Sequence, residues 1–141
     1  MAVKQLGTAA SGASDLLDVG DAKALLPWTS EVHCRESGAR TTGTMDAPLG
    51  TVAPYAMTLT EVDLRYSTAD AAGSSSVYHV YKNGADFSPT AATITISGTG
   101  TTGSWTGSLS LAKGDVLTIN CTQVGTTPGN GLAALFIGTK S

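Results

Sequence analysis

Charge is scarce in this chain: of 141 residues, Asp, Glu, Lys and Arg together make up only 13%, about half the share usual in a soluble domain. The basic residues, Lys4, Lys23, Arg35, Arg40, Arg65, Lys82, Lys113 and Lys140, never form a run, and the net charge is −3. A phosphate backbone is held by a basic stripe that releases its counterions. No such stripe is present, and nucleic acid is not expected as a partner. Long apolar runs are missing as well. No stretch approaches the roughly 18 apolar residues of a transmembrane helix, so no membrane partner is expected. Residues 1–20 carry one early Lys and no apolar core. The expectation is a chain without a secretory signal, made and first kept in the cytoplasm. In that reducing compartment the two cysteines, Cys34 and Cys121, read as buried thiols rather than a bridge.

The material for chemistry is equally thin. There are two histidines, His33 and His79. His33 and Cys34 are sequence neighbours, so in a strand they point to opposite sides and do not chelate one ion together. A metal site needs three or four converging ligands, and the spacing offers none. Gly98-Thr99-Gly100-Thr101-Thr102-Gly103 matches GxGxxG, but a dinucleotide fingerprint needs a helix after it, and strand-like Ser104-Trp105-Thr106-Gly107 follows. Asn120-Cys121-Thr122 fits a glycosylation sequon inside an expected strand of an unexported chain and is set aside. Glu61 and Asp63 share one strand face, as a carboxylate pair would, yet Arg65 beside them makes a solvated ion-pair face the plainer reading. No Ser, Cys or Thr sits in a context that places a base beside it. The expectation is a protein that is not an enzyme and binds no cofactor or metal.

What is abundant is glycine, at 17 residues, together with Thr and Ser. Thr is β-branched and suits strands, while Gly and Ser suit the turns between them. The length fits one domain, one that buries roughly two-thirds of the surface exposed by its unfolded form without staples. From Trp28 onward the pattern is of strands and turns. Strands are expected over 29–36, 56–68, 76–82, 93–97, 105–111, 116–124 and 132–138. In 56–68 the alternation puts Met57, Leu59, Glu61 and Asp63 on one face and Thr58, Thr60, Val62 and Leu64 on the other; each set mixes apolar residues with polar ones, so the inward side stays open. Asn83-Gly84 is a strong hairpin signal. Seven or eight short strands without a long helix point to an antiparallel sandwich or jelly roll.

Residues 1–27 read differently. They hold few β-branched residues and many small ones, with Leu6, Leu16, Leu17, Val19, Leu25 and Leu26 irregularly spaced. Ser14 or Asp21 would cap one helical turn that Pro27 stops, too short to stand alone. The segment is read as an N-terminal arm lying on another protein or a neighbouring subunit; the alternative is a strap over its own domain. Residues 28–141 are the sandwich.

In the final strand Leu132, Ala134 and Phe136 would face the core, yet Ala133, Leu135 and Ile137 opposite them are apolar too. Solvent-facing strand sides normally read polar, so a subunit interface is expected over Ala133, Leu135 and Ile137, with a flap of the same chain as the alternative. Among the few aromatics, Trp105 follows a Gly/Thr loop. Asn83, Thr101, Trp105 and Thr127 are the exposed loop candidates for binding glycan or protein, although for the aromatics the favoured reading is that they close the ends of the sandwich.

The second half resembles a jelly-roll module of bacteriophage tail-fibre and head-surface proteins. The stretches that carry the likeness are Ala53-Pro54-Tyr55-Ala56, Val80-Tyr81-Lys82-Asn83-Gly84 and LAKGDVLTINCTQVGTTPGNGLAALFIG from Leu111 to Gly138, with VKQLGTAASGASD near the N-terminus. Cys121 departs from the pattern, standing where the family usually has an aliphatic residue. The sandwich class is also that of trimeric tumour-necrosis-factor-like jelly rolls. The resemblance implies a homotrimer on a virion surface, assembled in the host cytoplasm: a capsid decoration (cement) protein or short head fibre whose arm meets the major capsid protein or another virion protein. The alternative it implies is a tail-fibre or tail-tip module recognising host surface glycan. A bacterial adhesin or cytokine-like lectin fits less well without an export signal.

Overall fold

The computed structural model of the chain describes residues 27–44, 46–87 and 92–141. The N-terminal arm with Leu6, Leu16, Leu17, Val19, Leu25 and Leu26 lies outside the described residues. The described ones form nine strands and no helix: β1 (Trp28–Ala39), β2 (Thr51–Val52), β3 (Met57–Arg65), β4 (Ser75–Lys82), β5 (Ala85–Asp86), β6 (Thr93–Ser97), β7 (Thr102–Leu111), β8 (Val116–Gln123) and β9 (Asn130–Lys140). They make an antiparallel β-sandwich. Sheet A runs β1-β9-β3-β7, and sheet B runs β2-β8-β4 with β5 and β6 both along the far side of β4. Apart from the β4–β5–β6 stretch, each strand lies in the opposite sheet from the one before it. The pairings are nested: β1 with β9, β2 with β8, β3 with β7, and β4 with β6, leaving β5 at the tip.

Side chains from both sheets meet in one core. Met57, Leu59, Val62, Leu64, Leu132, Ala134 and Phe136 of sheet A pack against Tyr78, Val80, Ile94, Ile96, Leu117 and Ile119 of sheet B. Cys121, at the position where the resemblance expects an aliphatic residue, is buried among them.

An irregularity in β3 decides which of its side chains face the core. Leu59 pairs with Gly138 and Glu61 with Ile137, so two steps along β3 match one along β9. This is a β-bulge at Thr60 and Glu61, and it reverses the alternation. Met57 and Leu59 face inward before it, Val62 and Leu64 after it, and Thr58, Thr60, Glu61 and Asp63 all face out. Strict alternation across 56–68 is therefore corrected: neither of the two sets is a face of the folded strand. The Thr60 hydroxyl donates to the Ile137 carbonyl at 3.2 Å and ties the bulge to β9. Strand β7 compensates with one extra residue near Gly107. A Cβ on Gly107 would fall 2.2 Å from the Trp105 ring, so the indole occupies the space that a side chain there would take.

One end of the sandwich is held by a buried ion pair. The Arg40 side chain is fully buried. Its guanidinium donates to the carbonyls of Thr68 at 3.0 Å, Asn130 at 2.7 Å and Gly131 at 2.9 Å, and to the Asp70 carboxylate. It lies 3.4 Å from the centre of the Tyr66 ring, a cation–π contact. Asp70 also accepts from the Ser76 hydroxyl at 2.6 Å and the Gly129 amide at 2.9 Å. Gly129 itself is required: a Cβ there would sit 2.1 Å from the Ala69 carbonyl oxygen. The Tyr66 and Tyr78 hydroxyls meet at 2.7 Å, and burial raises the pKa of both.

Burial alone would raise the Asp70 carboxyl, but hydrogen bonds from Ser76, Gly129 and Arg40 outweigh it and hold the group below the ordinary carboxylate value. A depressed folded pKa contributes stability that is present above the unfolded value of about 3.9 and is lost as pH falls through the folded one. Replacing Arg40 by Met leaves Asp70 buried without its counter-charge, and urea denaturation should show a loss of about 3–5 kcal/mol at pH 7. Wild-type stability should fall below about pH 4, and Asp70→Asn should flatten that fall. A loss under about 1 kcal/mol for Arg40→Met would contradict a structural role for the pair.

Candidate functional site

The outward bulge of β3 and the central position of β9 build the outer face of sheet A. Strand pairing sets its side chains in rows. Ala133 lies between His33 of β1 and Arg65 of β3, with Thr102 of β7 beyond. One row on, Leu135 lies between Glu31 and Asp63, with Ser104 beyond; in the third, Ile137 lies between Thr29 and Glu61, with Thr106 beyond. The expected interface residues Ala133, Leu135 and Ile137 thus form one apolar stripe on a central strand, half-buried among their neighbours rather than standing free.

Two clefts open on this face. The larger, of about 560 Å³, is lined by Glu31, Asp63, Arg65, Ser104, Ala133 and Leu135 among others. The second, of about 460 Å³, is lined by His33, Arg35, Glu36, Arg65, Ser67 and Ala133 among others. They share Arg65 and Ala133. Three of the surrounding polar groups already have partners within the chain: His33 and Glu31 meet at 3.0 Å, and Arg35 pairs with Asp46 at 2.8 Å. Glu61, Asp63 and Arg65 have no ion-pair partner among the described residues. The expected ion-pair face at Glu61, Asp63 and Arg65 is corrected on this point: the three share a face but lie beyond pairing distance.

The loop candidates do not gather into one surface. Thr101 and Thr127 are exposed near one end, where their carbonyls accept from the amides of Tyr66 and Ala71. Asn83 lies at the other end, in the turn between β4 and β5, where it and Gly84 take φ of 53° and 82°, the left-handed pair that a tight hairpin needs. Its side chain is already engaged. The amide nitrogen donates to Asp115 at 2.9 Å and the amide oxygen accepts from the Val116 amide at 2.9 Å. The bond from Asn83 leads the causes that lower the Asp115 pKa. Trp105 as a loop residue is corrected: it lies within β7, opposite Val62, half-buried against the core. A Gly/Thr-rich run looks like a loop, but cross-strand pairing continues through Thr102, Gly103 and Ser104.

Elsewhere, His79 and Asp86 meet at 2.7 Å on the outside of sheet B. No group of three or more His, Cys, Asp or Glu converges among the described residues. Among the described residues two large apolar side chains stand exposed, Leu49 at 84% and Val52 at 54%, before and on edge strand β2. No family model, curated protein or solved structure matches this chain.

Both cysteines are free and buried. Burial pushes the Cys34 thiol up to about 12 and the Cys121 thiol up to about 11. The thiolate is the reactive form, so native protein at pH 8 should give almost no colour with Ellman's reagent over minutes, and both thiols should react in 6 M guanidinium. Rapid labelling of the native state would contradict the burial of Cys34 and Cys121.

Proposed function

We propose that this chain is a non-enzymatic structural protein of a bacteriophage particle: a jelly roll that associates as a homotrimer through the outer face of sheet A. In this reading it is a capsid decoration protein or short head fibre, attached by its N-terminal arm to the major capsid protein or another virion protein. The observation that carries it is the apolar stripe of Ala133, Leu135 and Ile137 on a central strand. The solvent side of a strand normally reads polar, and an apolar stripe there, set among polar neighbours, is favoured to dock.

The nested pairing of β1 with β9, β2 with β8, β3 with β7 and β4 with β6 supports the jelly-roll reading, because a jelly roll is a long antiparallel ribbon wrapped into two sheets. The likeness to phage surface modules rests on the sequence motifs alone. They fall on the entry to β3, the β4–β5 hairpin and the run from the end of β7 through β9. The arm leucines would each contribute about 1.5–3 kcal/mol if fully buried on a shell, multiplied by threefold valency. The tail-tip reading, with loops gripping host glycan, is less favoured. Asn83 lies at the opposite end from Thr101 and Thr127, and Trp105 is in a strand.

Light scattering after gel filtration should give a mass of three chains for the wild type at micromolar concentration, and of one chain for Leu135→Glu. Deleting residues 1–26 should leave the trimer intact and abolish binding to undecorated capsids. A wild-type mass of one chain removes the association, and unchanged capsid occupancy by the deletion variant removes the arm.

A further inference from the structure

The chain contains two Asn-Gly pairs, Asn83-Gly84 and Asn130-Gly131. Asparagine before glycine is prone to lose its side-chain amide, because glycine has no Cβ to hinder its own nitrogen. That nitrogen attacks the asparagine Cγ, a C–N bond forms, and the side-chain nitrogen leaves as ammonia with the peptide proton. Water then opens the succinimide. Cleavage of the new bond leaves aspartate, and cleavage of the original peptide bond leaves isoaspartate. Ring closure needs a ψ of about −120° at the asparagine, the value found at the first central position of a type II′ turn. The rate in a folded chain therefore depends on how freely the Asn-Gly peptide rotates.

The fold treats the two pairs differently. Asn83 and Gly84 are exposed and form a type I′ turn between the paired residues Lys82 and Ala85. Passing from type I′ to type II′ keeps φ positive at Asn83 and flips only the peptide that follows it. Neither the Asn83 carbonyl nor the Gly84 amide has a hydrogen-bond partner among the described residues. What opposes ring closure is the side chain's own pair of bonds, to Asp115 and to the Val116 amide. The Asn130-Gly131 peptide is clamped instead. Its carbonyl accepts from Arg40 at 2.7 Å, from the Ser67 hydroxyl at 2.8 Å and from the Thr68 amide at 3.1 Å, and Gly131 is buried. Rotation there would break bonds that hold the buried Arg40 in place.

We infer that Asn83 is a deamidation site of the folded protein, while the clamp on its peptide shields the matching Asn130. Conversion at position 83 undoes a contact of the fold. An aspartate there cannot donate to Asp115 and sets two carboxylates against each other. An isoaspartate adds a backbone carbon to a two-residue turn. The bond from Asn83 to Asp115 joins the β4–β5 turn to the turn before β8, so loss of the amide loosens that end of the sandwich.

Peptide mapping by mass spectrometry of the full chain, held in mildly alkaline buffer, reads both sites at once. In denaturing guanidinium the two asparagines should convert at similar rates. In the native protein Asn83 should convert at least about tenfold faster than Asn130, since reaction tracks the population of the open form. Equal native rates at the two sites, or faster conversion at Asn130, overturn the inference. So does an Asn83 that stays intact in the native protein while the unfolded chain converts. Asn83→Asp should lower the urea midpoint at neutral pH. The double variant Asn83→Asp/Asp115→Asn, which exchanges donor and acceptor, should recover most of that loss. An Asn83→Asp chain as stable as the wild type, or a double variant no better than the single, overturns the effect of conversion on the fold.

Discussion

Arg40 ties the start of β9 to its place in the sandwich. In most half-buried strands the alternation of apolar and polar residues fixes register, because a slip of one residue moves every side chain to the wrong face. Strand β9 has no such guard. Leu132, Ala134 and Phe136 face the core, while Ala133, Leu135 and Ile137 face out, and a slip would exchange one apolar set for another. The guanidinium of Arg40 supplies the missing specification. It grips the carbonyls of Asn130 and Gly131, at the start of β9, together with that of Thr68. Desolvating an ion pair is costly, and such a pair is weak as a source of stability. Here its geometry serves specificity: three carbonyls, a carboxylate and an aromatic face leave few other arrangements.

Much of the architecture was legible in the sequence. Thr93–Ser97 appears as β6 with the expected ends, and Asn83-Gly84 turns the chain from β4 into β5. Strand β2 escaped notice because two residues carry no periodicity. The bulge in β3 was visible only as a conflict, polar residues mixed with apolar ones on each face of a strictly alternating strand. Such a conflict is itself a signal: a single extra residue resolves it by putting Glu61 and Asp63 on the same side as Thr58 and Thr60. Arg40 gave no signal at all. A lone Arg in a Gly/Thr-rich stretch resembles a surface residue, and its burial follows from carbonyls distant in sequence.

The candidate face was partly legible for the same reason. The double apolar character of β9 marked Ala133, Leu135 and Ile137. The flanking charges lie on β1 and β3, and their rows follow from pairings that sequence spacing does not specify. Asn83 shows the converse. It looked available for a ligand, and its exposed position is real, but both ends of its amide are committed to Asp115 and Val116. Exposure of a polar residue is therefore no measure of its freedom to bind.

The nested pairing has a consequence for synthesis on the ribosome. Strand β9 sits between β1 and β3, yet it emerges after both of them and after everything that separates them. Until then the nascent chain carries two strands with vacant edges and no partner for the slot between them. Contacts of such long sequence separation form slowly, and vacant strand edges invite pairing with other chains. Neighbouring nascent chains on one polysome would hold complementary halves of sheet A close together, so exchange of β9 between copies competes with its closure within one.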